Sequence, residues 1–430
     1  MTLAICASLP RLAGSTGGSP SILAKPMRSE KQQILASEPP PTRSKFPSTF
    51  TPMSYPHTAP LKLAVIGDVH DHWDDDSATA LSSLNADIAI FVGDFGNENA
   101  EIVKKIASHS AKNKIFMLGN HEAWYSLTAR GRQRALKVAM QSSSLSSSNI
   151  VSTTMSGPVG TSLALEEMFR TLGKDHIGYS STIFDQFGIA LVGGRPFSKG
   201  GKRWSDIAAF YKHHYGIESM EESALRIVDI ALSQPFELPL ILVAHNGPTG
   251  LGNKRYSPCG VDWQEPEEDF GDPDLGEAIE LLATQNRPPS LVLFGHMHHN
   301  LKNGGKRDMA AVDPVTGTVY LNSAVVPRIR RFDTTLGGSN SGTRASISGI
   351  VKGHHFLIVE MEQGVVSAAK HIWAGVENNT KVSVLAEEEV VKSVAAGDGS
   401  GRRVVSYYKA NCDEWTPVIL EGSAPMPLTE

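Results

Sequence analysis

The sequence is poor in cysteine: Cys6, Cys259 and Cys412 are the only three in 430 residues. They form no C-x-x-C pair, so neither a disulfide framework nor a thiolate zinc site can be built from them. Long apolar runs are missing too. Leu238 to Ala244 is among the longest, far short of the roughly 18 apolar residues that carry a helix across a bilayer, which argues against an integral membrane protein. A basic surplus is also lacking, with 40 Lys and Arg against 45 Asp and Glu and a formal net charge of -5. That charge is uneven. Residues 1–60 hold six basic and two acidic side chains, leaving 34 basic and 43 acidic in the body, a balance of -9. A broad electrostatic footprint for nucleic acid is therefore not expected, although a local groove is compatible with this balance.

What the first sixty residues do contain is proline and serine: ten of the 25 prolines and nine serines lie there, and no acidic residue precedes Glu30. Such a segment buries too little apolar surface to offset chain entropy. Basic, Ser-rich and acid-poor, it has the composition of an organelle transit peptide, with a plain disordered tail as the other reading. The start Met-Thr-Leu-Ala resembles plastid presequences, so the expected destination is the chloroplast, with the mitochondrion as the alternative.

From Leu61 the texture changes to short apolar runs separated by helical patterns. Strands are predicted at Leu61–Ile66, Ile88–Val92, Lys114–Leu118, Thr182–Phe184, Ile189–Val192, Leu238–Ala244, Leu291–Phe294, Thr318–Leu321, Phe356–Glu360 and Val365–Lys370. Helices are predicted at Ala100–Ser110, Ser126–Met140, Leu163–Leu172, Glu218–Ser233 and Pro273–Gln285. Strands alternating with helices indicate an α/β protein with a largely parallel sheet, and the later strands, with few helices between them, suggest a second sheet packed on it. Ser, Thr and Gly dominate 141–160 and 334–349, which read as surface insertions. The expected organisation is a leader at 1–60, a main domain at 61–375 and a C-terminal extension at 376–430.

The informative pattern lies just past the apolar runs. The first runs into Gly67-Asp68-Val69-His70, the second into Gly93-Asp94, the third into Gly119-Asn120-His121-Glu122; two later runs end at His245 and at Gly295-His296-Met297-His298. The carboxyl edge of an open α/β sheet is where ligands bind, and glycine before a ligand lets the backbone turn and approach closely. Each fragment alone is more often a turn or a satisfied histidine than a ligand. Together, Asp68, His70, Asp94, Asn120, His245, His296 and His298 offer too many oxygen and imidazole donors for one metal but suit two that share a carboxylate. With no sulfur among them, Mn, Fe or Zn is expected.

These motifs, in this order from Leu61 to about Val326, resemble the calcineurin-like metallophosphoesterase superfamily. The resemblance implies a four-layer α/β/β/α sandwich with two mixed sheets and a dinuclear centre. Asp68, His70, Asp94 and His298 would hold one divalent metal and Asp94, Asn120, His245 and His296 the other, with Asp94 as the bridge. It implies hydrolysis of a small phosphomonoester or phosphodiester by a metal-bridged hydroxide, with His121 assisting the leaving group. The segment Gly193-Gly194-Arg195-Pro196-Phe197-Ser198, with the leader, looks like a plant and cyanobacterial branch. A non-catalytic metal-binding scaffold of the same fold is the competing reading.

Departures from the superfamily narrow it further. Ser/Thr protein phosphatases carry an Asp and an Arg where Asn97 and Glu98 stand here, and a carboxylate in place of a phosphate clamp argues against that activity. The Gly-Asp-x-x-Tyr of purple acid phosphatases is absent as well. For substrate contacts the candidates are Arg195, which follows a predicted strand and could reach phosphate, and Asn97. Trp124 and Tyr125 could stack on a base or pack in the core. The remaining histidines read as structural or exposed, and Arg328-Ile329-Arg330-Arg331 as a solvated edge.

Overall fold

The computed structural model describes residues 60–142, 162–333, 349–377, 380–396 and 402–420. Almost all of the expected leader and of the two expected insertions lies outside them. Among the described residues, fifteen strands and seven α-helices occur: β1 (Leu61–Ile66), α1 (Asp75–Ser83), β2 (Ile88–Phe91), α2 (Ala100–Ala107), β3 (Lys114–Phe116), α3 (Ala129–Ser142), α4 (Leu163–Leu172), β4 (Ser181–Phe184), β5 (Ile189–Gly193), α5 (Ala208–Tyr215), α6 (Met220–Leu232), β6 (Leu240–Val243), α7 (Pro273–Thr284), β7 (Leu291–Phe294), β8 (Ala310–Val312), β9 (Val319–Asn322), β10 (Ile329–Asp333), β11 (Ile350–Glu362), β12 (Val365–Glu377), β13 (Lys381–Ala395), β14 (Arg403–Lys409) and β15 (Glu414–Leu420).

Two mixed sheets result. One has the order β15-β14-β13-β12-β11-β1-β2-β3, with β10 also on β11; the other runs β4-β5-β6-β7-β9-β8. The strands that lead into the motifs pair in parallel, β1 with β2, β2 with β3, and β5 with β6 and β6 with β7. Parallel pairing points their carboxyl ends the same way within each sheet. Alternation along each strand then divides the core. Leu63, Val65, Ile90, Ile241, Val243, Leu291 and Leu293 belong to a cluster built from both sheets, to which no α-helix contributes. Their neighbours Ala64, Ile66, Phe91, Leu242 and Phe294 pack instead with helix residues such as Leu81, Ile106, Ile227 and Leu275. Each fully buried branched or aromatic side chain here contributes on the order of 1.5–3 kcal/mol. Strands buried on both faces are why the sequence reads as unbroken apolar runs.

Helix starts follow local chemistry. Asp74 caps α1 by accepting from Ser77 N at 2.8 Å, Asn99 caps α2 from Glu101 N and Ile102 N, and Ser219 caps α6 from Glu222 N, each side chain satisfying a donor that the first turn leaves free.

The expected extension is not separate. Strand β12 crosses the boundary at 375, and β13, β14 and β15 continue the same sheet in antiparallel register. The sheet containing β1 is also less parallel than expected, because β11 joins β1 antiparallel, with Leu61 opposite Met361. Arg328 is corrected as well: it is buried rather than a solvated edge, its Nη2 donating to the His355 carbonyl at 2.8 Å and its guanidinium 5.1 Å from the Trp73 ring.

Candidate metal centre

The loops after β1 and β2 are laced together by their backbones: Asp68 N donates to Gly93 O at 3.1 Å and His70 N to Asp94 O at 2.8 Å. To turn each ligand inward, Asp68, His70, Asp94 and His296 adopt left-handed backbone angles, φ 51°, 45°, 58° and 67°. For residues other than glycine this conformation costs about 1–3 kcal/mol each, and it concentrates at functional sites. Two of the motif glycines are required for space. A Cβ at Gly119 would lie 2.4 Å from Asp94 Oδ1, and one at Gly295 2.5 Å from Asp68 Oδ2.

Asp68, His70 and His298 come together as one group of potential ligands, and Asp94, His245 and His296 as another. In the first, His70 Nε2 and His298 Nε2 face each other at 3.1 Å, and Asp68 Oδ1 lies 3.4 Å from the latter. Asp68 Oδ2 accepts from His296 N at 3.0 Å, whereas Oδ1 is buried with no hydrogen-bond partner among the described residues. In the second, His245 Nδ1 donates to the Val92 carbonyl at 2.7 Å, which leaves Nε2 directed at Asp94 Oδ1 (3.2 Å) and Asn120 Oδ1 (3.0 Å). Fixing one ring nitrogen on a carbonyl so that the other is free is how proteins orient metal-ligating histidines. An orphaned carboxylate oxygen and convergent imidazole nitrogens fit divalent cations.

The electrostatics set burial against attraction between neighbouring groups. Burial disfavours the charged form of both Asp94 and His245, but their mutual attraction outweighs it, so Asp94 stays far below the usual carboxylate range and His245 is held up at about 10. Burial also opposes charge on His298, yet Asp68 raises it. His296, buried beside charged His245, is pushed down to about 3.

Glu122 supports this arrangement, a role that residue-by-residue reading of the motif missed. Its buried carboxylate accepts from Asp94 N, Phe95 N, Gly96 N and Gly119 N at 2.9, 2.6, 3.3 and 2.6 Å, clamping the second and third motifs together. Burial and the neighbouring Asp94 push its pKa up to about 8, against those donors. Glu98 has a comparable task. Rather than standing in a phosphate clamp, it is buried, and Oε1 accepts from Tyr125 N and Ser126 N. The only sign of either role in the sequence was an acidic residue inside or beside a motif.

A cavity of about 560 Å³ opens over Asp94, His121, His296 and His298, and its outer wall includes Lys199, Lys302, Trp263 and Phe270. His121 stands at its edge. Its Nε2 lies 3.7 Å from Asp94 Oδ2, and its ring lies 4.7 Å from that of His70 and 4.6 Å from that of Trp124. His70, Asp94 and His121 also lie within reach of one ion. Burial lowers the His121 pKa, with Asp94 opposing.

Neither substrate candidate lines this cavity. Asn97 is exposed on the turn before α2. Arg195 is corrected: it is 2% exposed and engaged by Asp274 Oδ2 at 2.7 Å and Asp272 Oδ1 at 2.9 Å. Both carboxylates lie at the start of α7, so Arg195 ties the loop after β5 to that helix. Ser198, which donates to Asp272, extends the tie to the loop carrying Lys199.

Paired sheets that deliver carboxylates and imidazoles from their strand ends define an α/β protein with a candidate divalent-metal site. The sequence model of the calcineurin-like phosphoesterase family matches residues 61–300, more than half of the chain, and the protein belongs to that family. No curated protein matches the sequence. Similar solved structures include the phosphopantetheinyl hydrolase of Mycobacterium tuberculosis, at 14% identity over 61% of this chain and 89% of that one, with a TM-score of 0.34. A metallophosphoesterase from Sphaerobacter thermophilus matches at 12% identity over 74% and 88%, with a TM-score of 0.27. The NAD nucleotidase of Haemophilus influenzae matches at 12% over 83% and 53%, with a TM-score of 0.30.

Proposed function

We propose that this protein is a dinuclear metal-dependent hydrolase of small phosphate esters. The observation that carries this reading is the pair of adjoining ligand groups, with the buried, unpartnered Asp68 Oδ1 among them. Asp68, His70 and His298 would hold one divalent ion, and Asn120, His245 and His296 the other. Asp94, whose two oxygens face His245 and His121, would serve both. Two such ions supply an activated water at neutral pH and neutralise charge on the phosphoryl oxygens. Mn, Fe and Zn all suit these donors.

The chain's own residues then position and protonate. Lys199 and Lys302 on the cavity wall attract the anionic ester, offsetting a body whose overall charge would repel it. Trp263, 43% exposed and 5.1 Å edge-on from the Phe270 ring, offers an apolar surface to the organic part. His121, neutral in the free site because burial lowers its pKa, gains proton affinity from an anion bound beside it. Its N–H then faces the departing oxygen, where proton donation is worth roughly 100- to 10,000-fold.

The test is metal analysis of the purified protein after loading with Mn, Fe or Zn, combined with hydrolysis of mono- and bis-nitrophenyl phosphates. Two bound ions and turnover are expected, with both lost in Asp94→Asn. Two ions without turnover of any ester would leave the scaffold reading. Full two-metal stoichiometry in Asp94→Asn would overturn the bridging role.

A further inference from the structure

A second cavity, of about 260 Å³, lies behind the first, with Arg307 in the wall of both. Arg307 is fully engaged: Nε donates to the His298 carbonyl at 3.0 Å, and Nη1 to the carbonyls of Arg255, Ser257 and Gly260 at 2.9, 2.8 and 2.7 Å. It thus partitions the two spaces. The floor of the second cavity is made by His299, His371 and Trp373, which are 8%, 5% and 8% exposed. Its mouth carries Lys306, Arg330 and Glu388.

Among the described residues, polar atoms in this floor are left without partners. Arg330 Nη2 lies 2.8 Å from His299 Nε2. A guanidinium can only donate, so His299 Nε2 accepts, the ring proton sits on Nδ1, and that N–H is buried with no partner. His371 Nδ1 pairs with His355 Nε2 at 2.9 Å, and His371 Nε2 is likewise buried and unpartnered. Each such atom costs about 1–3 kcal/mol unless something satisfies it.

Among the described residues, the hydrogen-bond partners of the cations at the mouth are neutral groups rather than carboxylates. Lys306 donates to the neutral Asn300 Oδ1 at 2.6 Å, and Arg330, whose Nη2 donates to His299, has its guanidinium 4.5 Å from the Trp373 ring centroid. Glu388 places one negative charge against these two positive ones. The mouth therefore carries one net positive charge, which a monoanion neutralises.

We propose that this cavity is a second ligand site, for a small organic carboxylate. The carboxylate lies between Lys306 and Arg330, the apolar body rests on Trp373, Met309 and Val325, and a hydroxyl oxygen on that body accepts from His299 Nδ1. This inference does not depend on hydrolysis at the metal centre.

3-Hydroxybenzoate is a suitable probe. Equilibrium dialysis of the purified protein, with saturating inorganic phosphate to occupy the other cavity, should show one saturable site. Lys306→Gln, an exposed position where folding is not at stake, should weaken it about tenfold or more, in keeping with loss of a charged hydrogen bond. Val325→Phe, which fills the floor, should abolish binding without touching the charges. Trp263→Ala, in the metal-side cavity, should leave it unchanged. Absence of saturable binding, displacement by phosphate, or affinity unaltered in Lys306→Gln would overturn the proposal.

Discussion

Two buried charge clusters lie at loop ends in this protein, and they differ in one respect. Around Arg195, the guanidinium meets Asp272 and Asp274, Ser223 donates to Asp274, and none of the three charged side chains has a buried atom without a partner. Around Asp94, the positive partners are all imidazoles, and Asp68 keeps an oxygen that nothing fills. The first cluster is complete within the chain, as expected of a structural tie; the second leaves a carboxylate oxygen unpaired among the described residues, as expected of a candidate metal site. Buried charges must be compensated somehow, and whether the chain supplies all of the compensation separates a brace from a binding site.

The largest effect that would sharpen this contrast is at His121. His121→Ala should reduce turnover of an alkyl phosphate by roughly 100- to 10,000-fold, but that of a nitrophenyl ester far less, with urea stability unchanged. Equal losses on both substrates in steady-state assays would refute a leaving-group role. Arg195→Met should do the reverse. It strands two buried carboxylates, so a loss of about 3–5 kcal/mol in chemical denaturation is expected, with metal content per folded molecule intact. A drop in activity at unchanged stability would break the distinction between the clusters.

Smaller changes probe the rim of the open cluster. Glu122→Gln turns an amide N–H₂ toward backbone donors and should weaken metal affinity by about 10- to 100-fold in a competitive chelator titration. Unaltered affinity would show that the four hydrogen bonds do not orient the ligands. A last effect concerns imidazoles outside both clusters. Burial holds His371 down at about 4, and burial with nearby His371, Arg328, His299 and Arg330 holds His355 well below its ordinary value. Below about pH 6.5 the unfolded chain binds protons that these rings refuse when folded. Stability should therefore fall from that pH toward 4, by up to about 1.4 kcal/mol per pH unit for each histidine, and recover above it. Urea midpoints that do not change between pH 7 and 5 would contradict this.

The strands leading to the ligands were legible because burial on both faces leaves unbroken apolar runs, and because Gly-Asp and Gly-His dipeptides mark where they end. The later architecture was not. Strand β13 contains Glu387-Glu388-Glu389, which reads as a solvated charge run; its exposed face hides the alternation that pairing with β12 and β14 makes use of. Helix α5, Ala208–Tyr215, is rich in aromatic and histidine residues with middling helix propensity, and its stabilisation comes from burial of Phe210 and Tyr211. The residues read as metal ligands do converge. Arg195 was misplaced because position after a strand does not reveal that two carboxylates from a distant helix start will claim it. Lys199, Trp263 and Phe270 escaped notice because loops carry no period from which an inward direction can be inferred.

The strand that presents Asp68 has neighbours of very different age in a growing chain. On one side β1 meets β2, made almost at once; on the other it meets β11, where Leu61 faces Met361. During synthesis the Asp68 strand is therefore left with an open flank until Ile350–Glu362 has emerged, and ordering by so distant a partner is a slow, late event. The loop that carries Asp68 and His70 is thereby tied to a strand made long after its own motif. A chain interrupted before Ile350 would display the ligand motifs without the flank that steadies the first of them.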